Sequence, residues 1–221
     1  MGIKENLIRI KSEIPEHVKL VAVSKTKPVE AVLEAYNAGQ RLFGENKAQE
    51  MIAKQPQLPA DIQWHFIGHM QTNKVKYIAP FVSMIEAVDS LKLFKEINRQ
   101  AARNNRVIDC LMQFHIAEEE TKFGLNTEEA VQILESPEFA SLKNIRVCGV
   151  MGMATYTNDT EQIHREFKHL RNIFSELKEK FFPDTESFKE ISMGMSGDYK
   201  IAIEEGSTII RIGSSIFGAR N

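Results

Sequence analysis

The sequence predicts an α/β fold: a single (β/α)8 TIM barrel over residues 1–221 with an extra N-terminal helix. Three observations carry that expectation. Eight short β-rich runs recur along the chain, helical patterns separate them, and no Pro/Gly/Ser-rich linker, low-complexity tract or repeat divides it. Eight units in 221 residues leave about 28 residues each, compact beside the roughly 250 of a typical barrel. An open doubly wound sheet uses the same alternation and is the rival architecture; the count of eight favours closure.

Taken in order, Glu5–Ile14 reads as a helix that plugs or flanks the N-terminal end of the barrel. Strands are expected at Lys19–Ser24, Arg41–Gly44, Gln63–Gly68, Ser83–Val88, Ile108–His115, Ile145–Met151, Phe188–Met193 and Ser207–Gly213. Between them, Val29, Val32, Leu33 and Tyr36 share one helical face, and Leu91, Phe94, Ile97 and Ala101 share another. Ile163, Phe167, Leu170, Phe174, Leu177 and Phe181 step by three and four, an amphipathic stripe that Pro183 forbids from continuing. Tyr199 to Glu205 forms a short helical segment, with Ser196 placed where an N-cap belongs.

Composition narrows the function. The chain is 43% hydrophobic and 26% charged, which excludes wholesale disorder. Its net charge of −2 offers no global positive field for nucleic acid. Cys110 and Cys148 lie in apolar runs and read as small core residues of a reduced compartment. The start carries charge where a signal peptide needs apolar residues, and the longest apolar run, Val147 to Ala154, is far short of a bilayer span. A cytoplasmic protein without membrane contact is expected, and the lack of an obvious extra apolar surface leans towards a monomer.

Both rival architectures place function at the carboxyl ends of their strands. On the first strand Val21, Val23 and Lys25 share a face, so valines that fill a barrel would point Lys25 inward at its mouth. Lys27 continues that parity in the following loop. An enclosed lysine loses hydration and favours the neutral amine that forms Schiff bases; a lysine at a strand end also simply snorkels to solvent. On the last strand Arg211 shares parity with Ile209 and Gly213. It cannot shed its charge, so it needs a structural carboxylate or a ligand acceptor. The loops Ser192–Asp198 and Gly213-Ser214 supply glycines and hydroxyls after strands seven and eight, where barrels often hold phosphate. Together these groups describe a phosphorylated aldehyde, phosphate in the loops and carbonyl on Lys25, and pyridoxal 5′-phosphate meets that description.

The chain resembles the pyridoxal-phosphate homeostasis protein family, the small YggS- and PROSC-like proteins. The residues that carry the likeness are Ala22-Val23-Ser24-Lys25-Thr26-Lys27, Phe43-Gly44-Glu45-Asn46, Trp64-His65-Phe66-Ile67-Gly68 with Gln71-Thr72-Asn73-Lys74, Ser192-Met193-Gly194-Met195-Ser196, and Arg211-Ile212-Gly213-Ser214-Ser215-Ile216-Phe217-Gly218. The resemblance implies the barrel of alanine racemase, with Lys25 as the Schiff-base lysine and Arg211 facing the pyridine nitrogen. Ser196, Gly213 and Ser214 would hold the phosphate, Asn46 would lie beside the ring with His65 nearby, and Lys122 matches a family lysine near the mouth. His69, Met151-Gly152-Met153 and Phe114-His115 depart from the commonest family pattern.

Other signals read blandly. His65 and His69 are four apart but on strand and loop, which argues against zinc, and no metal is expected. Glu118-Glu119-Glu120 reads as a solvated loop, and no phosphate-loop or dinucleotide motif is present. An arginine near the pyridine nitrogen disfavours its protonation and so weakens electron-sink chemistry. Racemisation tolerates that arginine, but the alanine racemase scheme adds a tyrosine base from a further β domain, for which 221 residues leave no room. No catalytic residue is therefore expected. The chain reads as a carrier that buffers pyridoxal 5′-phosphate and supplies it to apo-enzymes. A racemase with weak or lost activity is the alternative, and a regulatory partner that reports cofactor state is a third reading.

Overall fold

In the computed structural model, residues 2–118 and 123–218 are described. The elements run α1 (Ile3–Glu13), β1 (Lys19–Val23), α2 (Val29–Asn37), β2 (Leu42–Glu45), α3 (Ala48–Lys54), β3 (Gln63–Phe66), α4 (Val75–Ile78), β4 (Met84–Val88), α5 (Leu91–Arg103), β5 (Ile108–Gln113), α6 (Thr127–Glu135), α7 (Pro137–Ala140), β6 (Ile145–Met151), α8 (Thr160–Phe181), β7 (Glu190–Ser192), α9 (Tyr199–Glu204), β8 (Ile209–Ile212) and α10 (Ser214–Phe217). All eight expected strands form, most of them trimmed at one or both ends. Neighbouring strands pair in parallel and in chain order, and β8 returns to β1 with Lys19 opposite Ile209 and Ala22 opposite Ile212, closing the barrel. The open-sheet rival is excluded.

Alternation along each strand divides the apolar residues into two cores. Leu20, Ala22, Phe43, Trp64, Ile210 and Ile212 face the helices. Val21, Met84, Leu111, Cys148 and Ile209 fill the barrel interior. Irregularities between Ile85 and Val88 and between Cys110 and Leu111 break strict parity. Ala87 thereby joins the interior although Met84 does too. Gly149 makes the β6–β7 approach possible: its φ is +150°, and a Cβ there would collide with the Glu190 backbone.

Helix α8 buries Ile163, Phe167, Leu170, Ile173 and Leu177, each contributing about 1.5–3 kcal/mol by transfer from water. Ile173 takes the central position expected of Phe174, which packs only partly buried with Phe181 at the edge. Helix α1 flanks the barrel rather than plugging it. Leu7 and Ile10 are buried, Asn6 donates to the Ile216 carbonyl of α10 at 3.0 Å, and the Tyr199 hydroxyl donates to Glu13 at 2.6 Å. Both cysteines are buried, and burial raises their thiols, that of Cys148 to about 11. Among the described residues no helix is long and apolar enough to cross a membrane.

Candidate functional site

At the carboxyl ends of the strands a cavity of about 890 Å³ opens, within the range of small-molecule sites. Lys25, Asn46, Ser196, Arg211, Gly213 and Ser214 all line it. Residues almost two hundred positions apart meet because β1 and β8 are hydrogen-bonded neighbours. His65 does not line the cavity; it lies inside the barrel on β3 and reaches the site through a carboxylate. Lys122, Glu119 and Glu120 lie outside the described residues.

Two buried ionic clusters frame the cavity. The inner one lies under its floor. Arg211, 3% exposed, donates to the Ser192 hydroxyl and, at 2.9 Å, to the Gly152 carbonyl. Ser192 in turn donates to Glu86, whose other oxygen lies 2.6 Å from His65 Nδ1. Glu86 is fully buried and 3.8 Å from the Arg211 guanidinium. Burial works to raise its carboxyl, but the His65 bond and charge, Arg211 and Ser192 prevail and hold it below the ordinary carboxylate range. Burial lowers Arg211 from its usual value, with Glu86 opposing. The arginine thus has the structural carboxylate partner that one sequence reading expected, and it also lines the cavity.

The outer cluster grips the chain just before Lys25, beyond the end of β1. Glu45 shares parity with Phe43 and faces α3, where Lys54 donates to it at 2.7 Å and to the Ser24 carbonyl at 2.8 Å. The Ser24 hydroxyl also donates to Glu45, at 2.7 Å. One residue beyond Lys25, the Thr26 amide donates to Glu50 at 2.7 Å, with Thr26 at φ +64°. Burial pushes the Glu45 carboxyl up, against the lowering pull of Lys54 and Ser24.

The phosphate-side loops differ from expectation in one respect. Ser196 does not cap α9; Asp198 occupies that N-cap position, and its carboxylate accepts from the Met195 amide instead. The Ser196 hydroxyl accepts from the amides of Gly213 and Ser215 at 3.3 and 3.4 Å. Those long bonds mark donors converging on one spot that a phosphate oxygen fits better. Elsewhere in the cavity lining, Asn46 Oδ1 and Gln113 Oε1 are buried acceptors with no partner among the described residues. Gly68 brings Asn46 in, since a Cβ there would overlap the Asn46 backbone. This donor and acceptor set fits a phosphorylated, hydroxyl-bearing ring.

Sequence positions unusual for the family are accommodated. His69 stacks on Phe123 with ring centroids 4.4 Å apart and lies 3.4 Å from Asp89. Gly152 lends its carbonyl to Arg211, and His115 donates its amide to Leu125 at 3.1 Å. Glu86, Ser192, Gln113, Glu45, Lys54 and Ser215 were not among the expected site residues. The available signal for Glu86 was a charge inside the apolar run Met84–Val88, in a parallel strand covered on both faces.

The alanine racemase N-terminal domain family model matches residues 2–221. A pyridoxal phosphate homeostasis protein of Aquifex aeolicus (strain VF5) is 40% identical over 91% of this chain and 87% of its own. The Homo sapiens protein of that name is 39% identical over 92% of this chain and 77% of its own. The structure of PipY of Synechococcus elongatus PCC7942 with PLP bound superposes with a TM-score of 0.89 at 34% identity, covering 98% of this chain and all of PipY.

Proposed function

Because the chain belongs to the alanine racemase N-terminal domain family, and within it to the pyridoxal phosphate homeostasis proteins, we propose that its cavity holds pyridoxal 5′-phosphate as a Schiff base on Lys25. The protein binds this cofactor and serves its homeostasis. One observation supports the site assignment above others: a lysine, an arginine and a cradle of amides and hydroxyls line a single cavity.

Each group then has a physical task. The outer cluster fixes Ser24 from behind and so aims Lys25 into the cavity. Ser196 and the amides of Gly213, Ser214 and Ser215 bind phosphate, and Asn46 accepts from the ring side. Arg211 closes the floor. When bound, the cofactor supplies a reactive aldehyde, which the lysine masks and can return.

In this reading the protein carries the cofactor rather than using it in catalysis. An arginine on the floor only donates hydrogen bonds and is a poor acid partner for a pyridine nitrogen. We place the carrier in the cytoplasm as one barrel over residues 1–221, a monomer that buffers the cofactor and supplies apo-enzymes.

The test is an absorbance scan of purified protein with pyridoxal 5′-phosphate, then borohydride reduction and peptide mapping. A band near ~420 nm and a reduced adduct on Lys25 are expected, both lost in Lys25→Ala. An adduct on another lysine would overturn the site. Robust Lys25-dependent interconversion of D- and L-amino acids would overturn the carrier reading.

A further inference from the structure

Arginine in a water-poor barrel carries a charge that it cannot lose. Two carboxylates answer that charge: Asp198 in the cavity lining and, beneath the floor and foremost, Glu86. Glu86 stands on β4, fully buried, with the Arg211 guanidinium 3.8 Å away. The link is also relayed: Arg211 donates to Ser192, and Ser192 donates to Glu86. The second carboxylate oxygen is held by His65 on β3 at 2.6 Å. With the carboxylate ionised, His65 Nδ1 carries the proton of that bond, whether the ring is neutral or charged. Among the described residues, the titratable and charged groups facing Glu86 are thus His65 from β3 and Arg211 from β8, while β7 offers the Ser192 hydroxyl.

We propose that Glu86 is a positioning residue that holds Arg211 against the cavity floor and cancels its charge there. A ring above the floor then meets a hydrogen-bond donor without a net positive field. The arginine alone would repel a protonated ring; arginine with Glu86 does so far less. The inference rests on the cofactor reading given above and adds what sets the electrostatics of that site.

The experiment is a spectroscopic pH titration of the protein loaded with pyridoxal 5′-phosphate, comparing wild type, Glu86→Asp and Glu86→Gln. Removing the carboxylate charge leaves Arg211 uncancelled, and the nearby cation disfavours protonated forms of the cofactor. In Glu86→Gln the pH midpoint of the visible band therefore falls by about one unit, the order of effect that one uncompensated charge has inside a protein. Glu86→Asp keeps the charge and stays within a few tenths of a unit of wild type. Borohydride trapping on Lys25 in each variant confirms that the same adduct is being read. An unchanged midpoint in folded, loaded Glu86→Gln overturns the proposal.

If Glu86→Gln does not fold, Arg211→Gln and the double variant Glu86→Gln/Arg211→Gln carry the same test. The double variant, with neither charge, returns towards the wild-type midpoint, and Arg211→Gln alone moves above it. Equal midpoints in those two would show that the Glu86 charge is not felt at the site and would overturn the proposal. Absence of any band or trapped adduct in the wild type would instead sink the cofactor reading on which the proposal stands.

Discussion

Glu45 and Glu86 are both fully buried carboxylates one short strand away from the same cavity, yet they are pushed in opposite directions. Glu45 faces outward to α3 and is held at one oxygen by Lys54 and Ser24, while its other oxygen has no partner among the described residues. Glu86 faces inward and is held at both oxygens, with Arg211 beyond. Depth alone does not decide the protonation of a buried acid: each has two donors, but those of Glu86 meet both oxygens with the Arg211 charge beyond, and those of Glu45 crowd one oxygen. The outer cluster fixes a piece of backbone, Ser24, and through it the aim of Lys25. The inner cluster balances a side-chain charge beneath the cavity.

Breaking each cluster should separate these roles. Glu86→Ala strands an arginine that stays charged, and a loss of about 4 kcal/mol in unfolding free energy is expected. Lys54→Met strands a carboxylate that can take up a proton, so the loss should be smaller, about 3 kcal/mol. Urea denaturation at neutral pH ranks them. A larger loss for Lys54→Met would mean that Glu45 cannot neutralise itself and that the two acids are alike. Lys54→Met should also slow adduct formation on Lys25, because the Ser24 carbonyl loses its donor.

The two acids should also leave opposite marks on stability against pH. Glu45 is raised, so between the ordinary carboxylate range and its native value the folded chain keeps a proton that the unfolded chain has lost. Its contribution therefore declines as pH rises through that window. Glu86 is lowered, so its contribution is complete above the ordinary range and is lost as pH falls through the native value. Each amounts to at most about 1.4 kcal/mol per pH unit for one proton. Denaturation midpoints across pH should show Glu45→Gln flattening the decline at higher pH and Glu86→Gln flattening the acid loss. Curves parallel to wild type in both would erase the distinction.

The sequence makes the outer architecture legible and the inner electrostatics less so. Alternation and helical stripes mark all eight strands and the inward parity of Val21 and Arg211, because those signals are local. The cavity-lining set follows once the barrel is assumed, since strand ends then converge. Glu86, Lys54 and Gln113 escape because nothing local says which way they point. Glu86 shares the inward parity of Met84, but the run Met84–Val88 is buried throughout and Ala87 is interior as well, so alternation in the sequence does not single out one face. Lys54 sits at the end of a helix, where a lysine ordinarily reaches water, and its burial depends on meeting Ser24 and Glu45 from another unit. Ser196 misleads for the same reason: its hydroxyl serves amides after β8 rather than the helix next to it in the chain.

The smallest expected effect lies at the joint between the clusters. Thr26 holds φ +64°, a conformation that costs a β-branched residue about 1–2 kcal/mol. Its amide is fixed by Glu50 on the outer side, while Lys25 before it turns to the cavity. Thr26→Gly removes the native strain but gives the unfolded chain more freedom, worth about 0.5–1 kcal/mol in the other direction. A net gain of about 0.5 kcal/mol follows, read as a rise of about 1–2 °C in Tm. The backbone bond to Glu50 survives the change, so the adduct on Lys25 should still form, with affinity lowered about threefold by the looser turn. Destabilisation instead of the gain would mean that the exposed threonine side chain does more than fill a strained position. Unchanged affinity would mean that the outer cluster alone aims the lysine, with no help from the turn.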